Sequence, residues 1–275
     1  MISSNKRVTL VVFYLIITFL FLSSCTSVPI TGRKRIALLP SSNLATMALQ
    51  SYQTLLKKSR LSTDSRQVAL VRKVGNRIAK AAEAFMKEEG LQSQLKNFKW
   101  EFNLIDDNKT INAFCMPGGK VAVYTGILPI AKDETGLAVI IGHEVAHAIA
   151  KHGNERMSQM LLVQLGGVGL DVALRNKPDE TRNMFRLAYG VGAQLGLLLP
   201  FSRTHESEAD HIGLILMARA GYDPVAAPSF WQRMSKIGGG KRPPQFLSTH
   251  PSPLKRVKKL KKLIPEVRIK YFRRR

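Results

Sequence analysis

The sequence has few cysteines and few acidic residues. Two cysteines, Cys25 and Cys115, are too few for a framework of disulfide bonds in a chain of 275 residues. Only 19 acidic residues stand against 42 lysines and arginines, which gives a formal net charge of +23. The longest apolar run, 8–22, is shorter than the 20 or so residues that usually span a bilayer. An apolar content of 45% is ordinary for a globular protein. A length of 275 residues suits one domain of about 200 to 250 residues with appendages.

The first 25 residues have the order of an export signal. A basic start precedes the apolar run 8–22, and Leu22-Ser23-Ser24-Cys25 resembles the lipobox of bacterial lipoproteins. We therefore expect a signal peptide at 1–24 and a lipid on Cys25. Thr26 rather than an aspartate follows the cysteine, and resemblance to the sorting rule of enteric bacteria then implies a periplasm-facing lipoprotein of the outer membrane. An uncleaved N-terminal anchor helix is the alternative.

The stretch His143–His152 carries the main chemical motif. On a helix, His143 and His147 lie only about 40° apart, so two imidazoles can hold one metal ion. Glu144 lies to one side of the pair, where its carboxylate can take a proton from a metal-bound water. This is the zinc peptidase pattern H-E-x-x-H. Asp133 is the expected N-cap of this helix, whose apolar residues recur at helical spacing and predict that it is buried.

A second motif places two acidic residues four apart. Glu206 and Asp210 share a helix face, with Glu206 suited as a third metal ligand. Asp210 is suited to accept the ring N–H of a ligating histidine. The alternative is an acidic helix start that the helix dipole stabilises. The remaining histidines are predicted to face away from the site, in structural or solvent-facing positions: His152, His205 and His211.

The rest of the chain predicts a mainly helical α+β fold with a small sheet beside the active-site helix. Helices are expected at 43–58, 64–89, 133–152, 154–174, 182–199 and 206–221, and strands at 99–105, 112–116 and 120–124. Pro117-Gly118-Gly119 predicts a hairpin, whose edge suits an extended peptide. Cys115 within it is read as a small buried hydrophobe. The apolar stretch Leu187–Phe201 is read as a buried helix rather than a membrane span. The domain boundaries are a signal peptide at 1–24, a lipidated tether at 25–42, a metallopeptidase domain at 43–264 and a basic tail at 265–275.

Together these motifs resemble the M48 family of zinc metallopeptidases. Phe201-Ser202-Arg203, Ala218–Pro224 and Thr249-His250-Pro251-Ser252 complete the likeness, which covers about 64–263 and is greatest to bacterial exported lipoproteins of the family. The resemblance implies a zincin-like domain with one zinc ion on His143, His147 and Glu206, and with Glu144 as general base. It also gives His250 a catalytic role, either restraining activity or assisting the transition state.

The function implied is a zinc-dependent endopeptidase in the bacterial envelope that cleaves proteins or peptides, with misfolded envelope proteins as substrates in quality control. A zinc-stabilised, chaperone-like binding protein with a latent active site is the alternative. It predicts that Glu144→Gln would keep the biological function.

The C-terminus is strongly basic. From Leu254 to Arg275 there are eleven lysines and arginines and one acid, Glu266. An apolar stripe within it predicts a short helix. We expect this face, together with the lipid, to favour membrane contact. Nucleic acid is the rival partner for such basicity, and export argues against it.

Overall fold

The structure is a computed structural model that describes residues 25–237, 244–250 and 253–272, so the expected signal peptide at 1–24 lies outside the described residues. Its helices are α1 (Ser41–Lys58), α2 (Ser65–Glu88), α3 (Leu128–Ala131), α4 (Glu134–Ile149), α5 (His152–Ala173), α6 (Asp179–Ala193), α7 (Leu199–Arg219), α8 (Ala226–Ile237), α9 (Gln245–Thr249) and α10 (Pro253–Tyr271). Its strands are β1 (Cys25–Ser27), β2 (Lys34–Ile36), β3 (Glu101–Ile105), β4 (Ala113–Met116) and β5 (Lys120–Tyr124). Short 3-10 turns cover Gln92–Leu95 and Thr125–Ile127, and Gln194–Leu198 is π-helical.

The larger sheet has the strand order β3-β5-β4, with β3 parallel and β4 antiparallel to β5. The hairpin between β4 and β5 turns at Gly118 and Gly119, whose φ angles of 85° and 80° favour glycine. A Cβ on Gly119 would also lie 2.8 Å from the ring of Trp100. The turn therefore requires glycine, and it leaves β4 as an edge strand beside α4.

Helix α4 runs through the centre of the domain. Asp133 caps it by accepting a hydrogen bond from the backbone N–H of Gly136, and nearly every residue of the helix is buried. One side packs on α2 and β4, and another side packs on α7. The expected α+β fold, mainly helical with a small sheet beside the motif helix, is confirmed.

Two glycines allow α4 and α7 to come very close. A Cβ built on Gly142 would lie 3.1 Å from the carbonyl oxygen of Gly213. A Cβ on Gly213 would lie 3.1 Å from both the Cα and the backbone nitrogen of His143. Such distances are tight for any larger residue, and the atoms approached are backbone atoms that cannot rotate away. The contact lies at the first histidine of the motif, so it sets how near the acidic residues of α7 can come.

The segment 25–42 is folded against the domain, which differs from the expected tether. Strands β1 and β2 form an antiparallel pair, and Arg35 is 1% exposed. Arg35 donates hydrogen bonds to the backbone carbonyl of Ala150 and to Gln94. The segment packs on the domain because the buried guanidinium of Arg35 needs hydrogen-bond acceptors, and the C-terminal end of α4 supplies one of them.

Two helix boundaries also differ from the expectations. Helix α7 begins at Leu199, not near Glu206, so Glu206 and Asp210 lie inside a helix and are not an acidic helix start. Helix α10 continues to Tyr271, so residues 265–271 of the expected basic tail at 265–275 are helical, and Val267 is buried against the domain.

The helix predicted to be buried, Leu187–Phe201, does not bury the side chains of its first part. Helix α6 has no buried residue, and Leu187 is 71% exposed. Within the described residues, no helix is both long enough and apolar enough to cross a membrane.

The close approach of α4 and α7 generates a prediction. Gly213→Ala should lower the free energy of unfolding by about 1–3 kcal/mol, because the new methyl meets the backbone of His143. Denaturant unfolding measures the change. Gly169→Ala in α5 is the control, since a Cβ there meets nothing within 4 Å, and it should leave stability unchanged or raise it by up to about 1 kcal/mol. Equal stabilities for the two variants would contradict the role given to Gly213.

Candidate metal centre

Three chain segments bring four metal-binding side chains together. His143 and His147 come from α4, Glu206 from α7 and His250 from the residue that follows α9. One ligand atom from each lies within 4.8 Å of the others.

The spacing of these atoms suits a tetrahedral ion. The Nε2 atoms of His143 and His147 are 3.1 Å apart, and they lie 3.4 and 3.3 Å from the carboxylate oxygens of Glu206. Ligand atoms about 2.0–2.1 Å from a tetrahedral zinc ion lie about 3.3–3.4 Å from each other. Imidazole and carboxylate are also donors that zinc accepts. The residues present therefore fit a zinc ion.

The carboxylate of Glu206 is buried yet charged. Burial raises its pKa, but the nearby His250, His143 and His147 outweigh that effect and hold the pKa well below its usual range. An ionised carboxylate is the form that binds a metal ion.

Glu144 lies beside the cluster without joining it. Its Oε1 atom is 3.3 Å from Nε2 of His250 and is a buried atom with no hydrogen-bond partner in the described part of the chain. Burial raises the pKa of Glu144, so its carboxylate is a stronger base than an exposed one. An unpartnered buried oxygen next to a metal-binding cluster is suited to hold a reacting water.

Asp210 lies behind the first histidine of the motif. Its Oδ1 atom is 3.3 Å from Nδ1 of His143, on the side of the ring away from the ligand cluster. A carboxylate in this position fixes the ring orientation of a ligating histidine. The structure thus brings Asp210 to the place that the sequence predicted for it.

Arg256 holds this carboxylate, and the sequence reasoning missed it. Its Nε and Nη2 atoms donate to the two oxygens of Asp210 at 2.8 and 2.5 Å, and Nη1 lies 3.1 Å from Glu206. The guanidinium carbon is 3.4 Å from the ring centre of Trp231. Arg256 is 4% exposed although it belongs to the basic C-terminal run. The missed signal is its spacing, because Arg256 lies four residues before Leu260 and next to Val257, on the apolar stripe of the helix.

His152 and His205 were expected in structural or solvent-facing positions, away from the site. Both are 1% exposed, which fits the structural alternative, but His152 reaches a histidine of the cluster. Nδ1 of His152 is 2.9 Å from Nδ1 of His147, and Nε2 of His152 is 3.0 Å from Glu208. The expected helix 133–152 is too long, because α4 ends at Ile149 and the backbone turns at Lys151, whose φ is 55°. His152 therefore does not lie opposite His143, where a continuous helix would place it.

This arrangement gives His147 a hydrogen-bonded support. With the Nε2 atom of His147 in the ligand cluster, its Nδ1–H donates to Nδ1 of His152, and Nε2–H of His152 donates to Glu208. His205 stacks on His152 with ring centres 4.4 Å apart. Each ligating histidine therefore has its own polar partner, Asp210 for one and His152 for the other.

The N-terminal segment contacts the carboxylates that support His152 and His205. Arg33 bridges Glu155 at 2.7 Å and Glu208 at 2.8 Å, and Thr31 donates to Glu208 at 2.9 Å. Burial raises the pKa of both carboxylates, but hydrogen bonds from Arg33, His152 and His205 bring each pKa down to about 2. Both carboxylates are therefore charged and can accept these hydrogen bonds.

A cleft of about 330 Å³ opens onto the cluster. Glu144, His147 and His250 form its floor, and the edge strand β4 forms one wall. The other walls include apolar side chains of Leu44 and Phe98. Cys115 on β4 is half-buried and burial raises its pKa well above the usual value, which fits a small hydrophobe rather than a nucleophile. A peptide in the cleft would lie between the strand edge and the metal-binding floor.

The profile of peptidase family M48 matches residues 69–264, which is more than half of the chain. The chain belongs to peptidase family M48. The expectation of a metallopeptidase is confirmed at the level of the family.

The chain is similar to mitochondrial and to bacterial proteases. The chain is similar to the mitochondrial metalloendopeptidase OMA1 of Schizosaccharomyces pombe, with 42% identity over 184 residues that cover 65% of this chain and 50% of the relative. It is 31% identical to the human metalloendopeptidase OMA1, mitochondrial, over 86% of this chain and 45% of the relative. The beta-barrel assembly-enhancing protease of Yersinia pestis is 33% identical over 58% of this chain and 33% of the relative. The chain spans about half the length of these mitochondrial relatives.

The expected localisation is wrong. Relatives with 30–42% identity from fission yeast, Arabidopsis, budding yeast and human are mitochondrial, which contradicts a periplasm-facing lipoprotein of the bacterial outer membrane. The lipobox-like stretch Leu22–Cys25 is only four residues long, so it can arise by chance, whereas the similarity to these relatives covers most of the domain. The narrower family assignment, the bacterial exported lipoprotein type, is likewise not supported. Cys25 begins β1, and lipid on it stays a sequence prediction.

The support of His147 generates a prediction. His152→Ala should lower metal affinity by about 10- to 100-fold, because His147 loses the acceptor that orients its ring. Competition with a metal chelator measures the affinity. His211→Ala is the control, since His211 is half-buried on α7, and it should leave affinity unchanged. Equal affinity in His152→Ala and the unmutated protein would remove His152 from the site.

A second prediction concerns Arg256. Arg256→Met should destabilise the protein by about 3–5 kcal/mol, because the buried carboxylates of Asp210 and Glu206 lose their cation. Denaturant unfolding of the metal-free protein measures it. Lys258→Met, at an exposed position of the same helix, is the control and should change stability by less than about 0.5 kcal/mol. A small effect at Arg256 would show that the two carboxylates do not need it.

Proposed function

We propose that this chain is a zinc-dependent endopeptidase that cleaves protein substrates in extended conformation. The observation that carries the proposal is Glu144, a buried carboxylate with a raised pKa whose Oε1 atom has no hydrogen-bond partner among the described residues. It stands beside a cluster whose donors and spacing suit zinc. A group that only stabilised the fold would be expected to have its hydrogen bonds satisfied.

In the proposed mechanism, His143, His147 and Glu206 hold the metal and Glu144 moves protons. A zinc ion held there would supply a Lewis acid that polarises a carbonyl and lowers the pKa of water. Glu144 takes a proton from the attacking water and returns it to the leaving amine. Asp210 and His152 keep the two imidazoles in orientation during these steps. The apolar walls of the cleft limit the access of bulk water.

His250 lies on the floor of the cleft, against the other three side chains of the cluster. Its Nδ1 atom is 3.2 Å from Nε2 of His143, and Nε2 faces Glu144. A catalytic zinc site keeps one of four positions open, so a histidine that fills the fourth position would restrain activity. We propose that His250 restrains the site in this arrangement and moves aside when a peptide enters the cleft.

The edge strand β4 supports the choice of substrate. An extended peptide can add to its free edge through main-chain hydrogen bonds, which any sequence supplies. Such binding favours unfolded segments over folded proteins. We therefore propose unfolded proteins as substrates, and hence a role in protein quality control.

The position of His250 also favours a second candidate, a chaperone-like protein with a latent site. A histidine held among three ligands would close the metal site permanently if nothing displaced it. The two candidates differ in what His250→Ala does, since opening the site should raise proteolysis in an endopeptidase and leave a binding protein inactive.

The test of the endopeptidase compares Glu144→Gln with the unmutated full chain. Hydrolysis of casein should fall by about 10²–10⁴-fold, because proton transfer is lost, while zinc content stays the same. Glu134→Gln is the matched control: it lies in the first turn of the same helix and contacts Lys73, so activity and zinc content should both be retained.

Retained hydrolysis in Glu144→Gln would contradict the proposed role of Glu144. Stoichiometric zinc without hydrolysis in the unmutated protein and in His250→Ala would favour the binding protein.

A further inference from the structure

Helix α10 has two different faces. Its inner face is buried against the domain through Val257, Leu260, Ile264 and Val267, which recur at three and four residues. The lysines at positions 255, 258 and 262 are exposed and follow the same spacing on the opposite side. The helix is therefore fixed to the domain, and its outer face points away from the domain.

Five exposed lysines crowd the first half of this helix. We call them the lysine face: Lys255, Lys258, Lys259, Lys261 and Lys262. Among the described residues, no carboxylate lies within ion-pair distance of any of them, and Lys259 makes only a 3.4 Å contact with the hydroxyl of Ser207. In the second half, by contrast, Arg268 pairs with Asp223 at 3.0 Å. Five like charges so close together repel one another, and an anionic partner would relieve the repulsion.

Large apolar side chains protrude on the same helix. Ile269 is 88% exposed and lies seven residues after Lys262, on the same face. Leu254, at the start of the helix, is 67% exposed. A bilayer interface accepts lysine beside headgroup phosphates and isoleucine among the acyl chains. Nucleic acid offers phosphates but gives little to an aliphatic side chain.

We propose that the lysine face, with Ile269, docks onto the surface of a bilayer that contains anionic lipids. The helix has 19 residues and so is about 28 Å long, and lying flat it would keep its backbone at the headgroups while the side chain of Ile269 reaches the acyl chains. The only acid of the helix, Glu266, is exposed one turn after Lys262 on the same side of the helix, so the five lysines with this acid keep a net charge of +4. Residues 8–22, which are outside the described residues, contain no charged side chain and so are also compatible with lipid. This inference is independent of the metal centre.

The test measures partition of the full chain onto vesicles. Vesicles of phosphatidylcholine with about one third phosphatidylserine are compared with pure phosphatidylcholine, so that binding through 8–22 is seen with both. At low salt, replacing all five lysines by glutamine should lower partition onto the anionic vesicles by at least about 30-fold. Partition onto neutral vesicles should not change. High salt should reproduce the loss, because surface charges are then screened.

A matched control removes the same charge elsewhere. Lys57, Lys58, Lys87, Lys96 and Lys109 are exposed and scattered over other elements, and their replacement by glutamine also lowers the net charge by five. This variant should keep most of its partition. Circular dichroism of both variants should match the unmutated chain, since all ten side chains are exposed.

Ile269→Ser distinguishes binding to a bilayer from binding to a polyanion that has no apolar region. It should weaken partition onto anionic vesicles several-fold and leave binding to heparin or duplex DNA unchanged. Equal losses in the two five-lysine variants would show a net-charge effect and overturn the proposal. Loss of duplex binding without loss of vesicle binding in the lysine-face variant would assign the face to nucleic acid and also overturn it.

Discussion

The close contact between α4 and α7 at Gly142 and Gly213 determines the rest of the site. It brings Glu206 and Asp210 against His143 with no side chain between the two backbones. The cost is that several charged groups are buried in the centre of a helical domain. The surrounding residues compensate for this burial.

The compensation comes from two sides. Arg256, from the last helix, neutralises Asp210 and Glu206 and stacks on Trp231. Arg33, from the N-terminal hairpin, does the same for Glu155 and Glu208, which in turn support His152 and His205. Arg256 therefore stabilises the carboxylate that supports His143, and Arg33 stabilises the carboxylate behind His152, which supports His147. Removing either would leave buried carboxylates that burial itself makes unfavourable.

Local patterns in the sequence predict most helices and the sheet. They also predict that the motif residues of α4 and α7 form one site. Such patterns report on single elements, as with the cap at Asp133 and the glycines of the β4–β5 turn. They failed where a contact joins distant elements. In the sequence, Arg256 is one of eleven cations of the C-terminal run, Arg33 lies in a segment that reads as a tether, and His152 lies within a pattern that continues past the end of α4. The exposed α6 was misjudged because an apolar composition does not say whether a neighbouring element covers it.

The cluster and its supports consist of residues that are far apart in the sequence, and this distance determines when each contact can form. Arg33 and Glu208 are 175 positions apart, and His143 and His250 are 107 apart. Contacts between residues far apart in sequence form late, because a long loop must close first. During synthesis, the N-terminal hairpin and α4 emerge well before α10, so the charge balance at Asp210 and Glu206 is incomplete until Arg256 has left the ribosome. A nascent chain without α10 therefore holds the cluster residues while the cation that balances Asp210 and Glu206 is still missing.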